Sequence, residues 1–138
     1  MSETATLIQI PAPGQPWPEQ GGIYVGARVI DGIVRHRIIP GGTDQDIVAS
    51  HDNAAERITA AGEINGFSDW GHGDQRDLML AYINAPDLFH REGIESVQIT
   101  STPYGSYYAW AVGFESGDVG VSGRHYEFRV RPFRSFIP

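Results

Sequence analysis

The clearest pattern in the first half of the chain is a pair of runs rich in β-branched residues, at 22–30 and 33–39. The dipeptide Asp31-Gly32 separates them, and Pro40 follows the second run. An Asp-Gly pair between two such runs is the signal of a two-residue type I′ turn. The pattern therefore predicts an antiparallel hairpin with strands at 22–30 and 33–39.

The middle of the chain has the periodicity of helices. Ala54, Ile58 and Ala61 are spaced as one apolar stripe, which predicts a first helix over residues 50–62. Residues 74–84 are apolar almost all round after their first turn, which predicts a second, largely buried helix.

The start of the second helix carries two aspartates, Asp74 and Asp77. Their spacing is that of a capping box in acidic form. Together with Asp69 they also offer carboxylates for acid–base chemistry, but helix capping explains the pair more economically.

The last third of the chain alternates with period two. Tyr108, Trp110, Val112 and Phe114 fall on one side of a strand, which predicts that Tyr108 points inward with Trp110. A return strand follows, and residues 128–132 predict a final strand.

The order of these elements predicts the fold class. Strands, then two helices, then a run of strands indicate an α+β fold with antiparallel pairing. The proline-rich start predicts an N-terminal arm at 1–21, with Trp17 docking it onto one domain at 22–138. Trp17 as a ligand platform is the alternative.

Composition narrows the function. The chain has 138 residues and a net charge of -7, which argues against a general binder of nucleic acid. It has no cysteine, which excludes thiolate chemistry and disulfides. No secretory signal and no apolar run of about 20 residues occurs, so we expect synthesis in a cytoplasm without membrane insertion.

Four short motifs occur in a definite order along the chain. They are GQPW at 14–17 leading to GGIYVG at 21–26, GFSDW at 66–70 with RDL at 76–78, STP at 101–103 with AWAV at 109–112, and RVRPFR at 129–134. In this order they resemble the family that includes the C-terminal domain of bacterial collagen-like adhesins and related short phage proteins. Residues 71–74 and 95–99 depart from its pattern.

The resemblance implies a C-type-lectin-like fold, with antiparallel strands, two helices and chain ends that lie close together. It therefore implies that the late arginines Arg129, Arg131 and Arg134 form structural ion pairs with Glu19 or nearby acids, rather than bind a ligand. The formylglycine-generating enzymes share the architecture but need active-site cysteines, so that activity is excluded. Fold alone does not decide among the remaining functions.

Metal and cofactor sites are weakly indicated. His72 and Asp74 are the nearest approach to a metal pair, and a polar turn explains them better. Asp44 and Asp46 have the oxygen ligands that calcium prefers, but the triplets usual in lectin calcium sites are absent. We expect no metal and no cofactor.

Two segments near the C-terminus have the chemistry of a binding surface. They combine tyrosine, serine and glycine, which supply rigid amphipathic rings and small adaptable donors. The candidate ligand-binding residues are Tyr104, Ser106, Tyr107, Arg124, His125 and Tyr126. In relatives diversified by retroelements, the variable surface lies in this part of the fold. Ordinary hairpin loops are the alternative interpretation.

These observations predict a recognition module rather than an enzyme. The leading hypothesis is a phage structural or host receptor-binding protein, displayed on a tail fibre or baseplate in the virion. It would form a homo-oligomer, with a trimer favoured, and bind a host surface glycan or protein, or other phage structural proteins. The alternative is a small cytoplasmic phage protein that inhibits a host defence factor, as anti-CRISPR proteins do.

Overall fold

The computed structural model describes residues 8–138, which form two helices and ten short strands. Residues 1–7 of the predicted arm lie outside the described residues. The helices are α1 (Ala54–Ala60) and α2 (Gln75–Asn84). The strands are β1 (Pro16–Trp17), β2 (Gly22–Ile30), β3 (Ile33–Ile39), β4 (Ile47–Ala49), β5 (Gly71–His72), β6 (Val97–Tyr104), β7 (Tyr108–Gly113), β8 (Val119–Gly123), β9 (Phe128–Val130) and β10 (Pro132–Phe136).

The first sheet has the strand order β1-β2-β3-β10-β5. Its centre is the hairpin β2–β3, which has the bounds that the sequence predicts. Asp31 and Gly32 both have positive φ, 53° and 76°, as a type I′ turn requires. The last strand, β10, pairs with β3, so the C-terminal segment joins the sheet of the first hairpin.

The second sheet has the order β4-β9-β6-β7-β8. Its pairings are antiparallel except for β6 with β9, which are parallel where Gln98 lies opposite Arg129. With two helices and sheets rich in antiparallel pairs, the chain is an α+β fold, as predicted.

The chain crosses between the sheets at Arg131. The prediction of one final strand over 128–132 is wrong, because β9 ends at Val130 in the second sheet and β10 begins at Pro132 in the first. The side chains of Val130, Arg131, Pro132 and Phe133 are all buried, so the two-residue alternation stops at this crossing.

Both predicted helices exist, but their bounds agree with the prediction to different degrees. The first is shorter than predicted, because the Ser50 backbone N–H donates to Asn53 Oδ1 at 2.8 Å and forms a turn before α1. The second begins as predicted. The Asp77 N–H donates to Asp74 Oδ1 at 2.9 Å and the Asp74 N–H donates to Asp77 Oδ2 at 3.0 Å, which confirms the capping box.

The buried side chains form two adjoining clusters. One includes Trp17, Ile58 and Ala109, and the other includes Leu78 and Phe114 beneath α2. Trp17 meets Tyr24 edge-on at 5.5 Å between ring centroids, which confirms that it docks the proline-rich segment. Within residues 8–138 no helix has the length and apolar character needed to cross a membrane.

Candidate functional site

Two loops at the same end of the second sheet lie side by side. One joins β6 to β7 and the other joins β8 to β9. The Arg124 N–H donates to the Tyr107 carbonyl at 2.9 Å, and Arg124 Nη1 donates to the Gly105 carbonyl at 3.2 Å. Strand pairing places Tyr108 directly opposite Gly123. The structure therefore brings together the two segments that the sequence indicated separately.

The aromatic side chains of these loops are exposed to solvent. The exposed fraction is 51% for Tyr104, 77% for Tyr107 and 60% for Tyr126. Ser106 and His125 are also exposed, and the His125 ring lies 4.6 Å from the Tyr126 ring. We call this surface the tyrosine surface; its members are Tyr104, Ser106, Tyr107, Tyr108, Trp110, Arg124, His125 and Tyr126.

Tyr108 belongs to the exposed surface, and the prediction that it points inward is wrong. Its side chain shares a face of β7 with Trp110 and Val112, but α2 covers only part of that face. Val112 and Phe114 are buried in the cluster beneath α2. Tyr108 is half exposed. The tyrosine surface therefore gains an aromatic ring that the sequence assigned to the core.

Ring contacts organise the tyrosine surface. Tyr104 packs edge-on against Trp110 at 5.1 Å between centroids. The Tyr126 ring covers Gly123, where an added Cβ would lie 2.9 Å from the ring. Because Gly123 has no side chain, Tyr126 lies against the strand beside Tyr108. These contacts restrict the Tyr104 and Tyr126 rings, and a side chain that is already restricted loses less entropy in any further contact.

Strand β6 presents Tyr104 through a bulge. Its pairing with β7 shifts between Ile99 and Pro103, where a proline is tolerated because the ladder is already interrupted. Thr100 Oγ1 donates to the Trp110 carbonyl at 2.7 Å and accepts from the Thr102 N–H at 3.1 Å. These bonds replace the missing ladder and fix the start of the loop.

Two histidines lie beneath this bulge. His51 Nδ1 lies 2.8 Å from the Thr100 carbonyl oxygen, and His72 Nε2 lies 2.9 Å from the Ile99 carbonyl oxygen. Because a carbonyl oxygen only accepts hydrogen bonds, these two nitrogens carry a proton and donate it. Burial lowers the pKa of His72, and its neighbour His51 adds to the effect. His72 lies in β5 and not in the polar turn that the sequence predicted, and there it supports the bulge.

The Arg124 side chain makes hydrogen bonds to the loop between β6 and β7 and to the turn before α1. Its Nε donates to Asp52 Oδ1 at 3.1 Å, and its carbonyl accepts from the Asp52 N–H at 3.2 Å. Among the predicted site residues, Arg124 therefore has the most internal contacts. It positions the tyrosine surface and leaves part of its guanidinium exposed.

The late arginines form structural ion pairs, as predicted, with partners other than Glu19. Arg129 Nη2 lies 2.8 Å from Glu95 Oε2, and Arg134 Nε lies 2.8 Å from Asp69 Oδ1. Arg134 also donates to the Gln20 carbonyl at 2.9 Å. This last bond joins the C-terminal strand to the proline-rich segment.

The loop that carries Asp44 and Asp46 does not present a calcium site. Asp46 Oδ1 accepts from Arg131 Nε at 2.9 Å and from Gln98 Nε2 at 3.1 Å, so it turns into the protein. Across residues 8–138, no group of three or more histidine, aspartate or glutamate side chains is placed to hold a metal ion. The carboxylate of Asp46 is a buried partner of an arginine.

A groove with acidic residues at its edge lies on strands β7 and β8. A cavity of about 280 Å³ is lined by small residues of β7 and β8, among them Gly113 and Gly120, with Glu115 and Asp118 at its edge. Its residues do not overlap the exposed tyrosines.

No protein-family model matches the chain, and no curated protein matches it in sequence.

Proposed function

We propose that this chain is a non-catalytic recognition module with a C-type-lectin-like fold, whose ligand binds the tyrosine surface. The observation that carries the proposal is the union of two loops into one exposed surface with four tyrosines, Tyr104, Tyr107, Tyr108 and Tyr126. Exposed tyrosines at loop tips supply large contact areas with little rotamer entropy to lose. Soluble domains seldom expose such clusters without a binding role.

The finer fold assignment rests on the four sequence motifs and on one topological feature. Strand β10 pairs with β3, so the last strand and the first hairpin share a sheet, which agrees with the chain ends lying close together. The GFSDW motif supplies Asp69, the ion-pair partner of Arg134 in the RVRPFR motif. Two of the motifs are thus in direct contact, which supports their being parts of one family pattern.

We propose a host surface glycan as the ligand, with the chain displayed on a phage tail fibre or baseplate. Aromatic rings beside small hydroxyl and imidazole groups, here Ser106 and His125, offer stacking faces and hydrogen bonds together. Sugars present apolar ring faces and hydroxyl groups in the same way. An envelope protein epitope would use the same surface and is an outcome of the test.

The test is binding of the purified chain to an array of bacterial surface polysaccharides and envelope proteins, followed by titration of each hit. We expect Tyr104→Ala with Tyr107→Ala to weaken binding at least tenfold, because the two rings supply the stacking contacts. Ile94→Ala, which truncates an exposed side chain outside the site, is the control and should bind as wild type. Unchanged binding in the double variant contradicts the proposed site.

A second function is favoured by the acidic groove. Glu115 and Asp118 line a cavity among mostly small residues, in a chain of net charge -7. An acidic surface of this kind attracts basic partners. We propose, as the alternative, a cytoplasmic inhibitor of a host defence factor. Detection of the chain in purified virions supports the first function; detection only in infected-cell extracts supports the second.

A further inference from the structure

The hairpin β2–β3 extends beyond the rest of its sheet. Strand β1 pairs with β2 only at Gly22 and Ile23, and β10 pairs with β3 only from His36 to Ile38. Within residues 8–138, the end of the hairpin at 27–35 pairs only with itself. Both of its outer edges therefore present free backbone groups, which is the arrangement that native proteins usually cover.

The end of this hairpin is apolar and exposed. Val29, Ile33 and Val34 are all exposed at the surface, and Ile30 is partly exposed. At its base, Arg28 makes ion pairs with Asp74 and Asp77 at the start of α2, so the hairpin is fixed to the helix. The end of the hairpin is an apolar projection that the rest of residues 8–138 leaves exposed.

An apolar groove lies directly beside the hairpin on α2. Its walls are Met79, Leu80 and Ile83, with the aliphatic parts of Arg28 and Arg76 at its rim, and its volume is about 270 Å³. Ile83 is 71% exposed. Arg28 belongs to both features, since it lies in β2 and lines the groove.

The hairpin and the groove have complementary charges. Asp31, at the turn of the hairpin, and Arg76, at the rim of the groove, are both exposed, and neither makes an ion pair within residues 8–138. Arg28 is neutralised by Asp74 and Asp77, so Arg76 supplies the positive charge at the rim of the groove, in a chain of net charge -7. An acidic tip with apolar flanks matches an apolar groove with a basic rim.

We infer that a second copy of this chain occupies the groove, with its hairpin tip placed between Met79 and Ile83 and its Asp31 against Arg76. The single chain supplies both halves of the contact, side by side on β2 and α2. A two-fold axis between them lets each copy insert its hairpin into the other, which gives a closed, self-complementary dimer. This arrangement differs from the trimer that the sequence resemblance favours.

The first test measures the mass of the full chain by light scattering and sedimentation equilibrium. We expect a dimer for wild type and a monomer for Ile83→Asp, because a carboxylate in the apolar groove would lose its hydration. Ile94→Asp is the matched control, since Ile94 is 68% exposed and lies away from the groove, and it should remain dimeric. A monomeric or trimeric wild type overturns the inference.

The second test uses charge and does not depend on the folding of the Ile83 variant. Asp31→Arg and Arg76→Asp should each weaken dimerisation roughly tenfold, since each places like charges across the contact. The two substitutions together restore an opposite pair and should return the dimer to near wild-type strength. If the double variant loses as much dimerisation free energy as the two single variants together, Asp31 and Arg76 are not partners, and the inference fails.

Discussion

Arg131 and Asp46 form an ion pair that water does not reach. Arg131 Nε lies 2.9 Å from Asp46 Oδ1, and both side chains have 0% exposure. The guanidinium stacks 4.1 Å above the Phe89 ring centroid and also donates to the Gly41 carbonyl at 2.7 Å. Burial lowers the pKa of Arg131, and the charge of Asp46 opposes this. The pair links the loop before β4 to the crossing between the two sheets.

Removing one member of this pair should strongly destabilise the fold. Asp46→Ala leaves the Arg131 charge buried without its partner, and we expect a loss of about 3–5 kcal/mol in the free energy of unfolding. Urea denaturation followed by tryptophan fluorescence measures it. Replacing both residues, as Asp46→Leu with Arg131→Met, removes the buried charges and should recover much of the loss.

The exposed pair Arg129–Glu95 is the matched control for this prediction. Its N–O distance is 2.8 Å, similar to that of the buried pair, but the Glu95 side chain is half exposed. Glu95→Ala should therefore cost less than about 1 kcal/mol. Equal losses for Asp46→Ala and Glu95→Ala would mean that burial does not determine the strength of these pairs.

Acid should destabilise the protein through His72. Its pKa in the folded state lies below the ordinary value of 6.5, because burial disfavours the charged ring. As the pH falls below 6.5, the unfolded chain takes up the proton first, so the free energy of unfolding decreases. Above pH 6.5 both states are neutral at this residue and its contribution is fully present.

The measurement is the free energy of unfolding as a function of pH for wild type and His72→Gln. The glutamine amide keeps a donor for the Ile99 carbonyl but does not titrate. We expect the variant to have a shallower slope just below pH 6.5. Identical slopes in the two proteins would show that His72 is not the group responsible.

Gly123 should matter to binding more than to stability. A Cβ there would lie 2.9 Å from the Tyr126 ring, which is exposed and able to swing away. Gly123→Ala should move Tyr126 and weaken ligand binding several-fold with little change in Tm. Gly120→Ala, in the same strand and with no atom near its added Cβ, is the control for both readouts.

Gly32 should resist substitution for a backbone reason. Its φ is 76°, and nothing lies near an added Cβ, so the cost of Gly32→Ala comes from the left-handed conformation alone. We expect a loss of about 1–2 kcal/mol, measured by thermal unfolding. Gly71 also has nothing near an added Cβ, and its φ is not positive. Gly71→Ala should therefore leave the free energy of unfolding almost unchanged.

Two local signals in the sequence predicted local structure accurately. Asp31-Gly32 fixes the turn and therefore the register of β2 with β3, and Asp74 with Asp77 fixes the start of α2. Both signals depend on residues that are close in the chain. The sequence also indicated which chemical groups the two loops carry, because tyrosine, serine and glycine have the same properties wherever the loops lie.

Several features that depend on distant contacts were not predicted. Alternation correctly grouped Tyr108 with Val112, but the sequence does not say that α2 covers only the Val112 end of the face. Asp46 was a weak candidate for a calcium ligand, and the sequence does not show that Arg131, 85 residues later, is the partner of its carboxylate. That Arg131 lies at a crossing between sheets follows from strand pairing, which the two-residue period does not encode.

The joint between the two loops has a consequence for how this surface can change. Its central bond runs from the Arg124 N–H to the Tyr107 carbonyl, and main-chain groups are the same for nearly every amino acid. The positions of Tyr104, Tyr107 and Tyr126 can therefore accept other side chains while the backbone path is retained. Main-chain bonds hold the loops together and side chains form their exposed surface, so if this surface binds a ligand, as proposed, its specificity can change without a new fold.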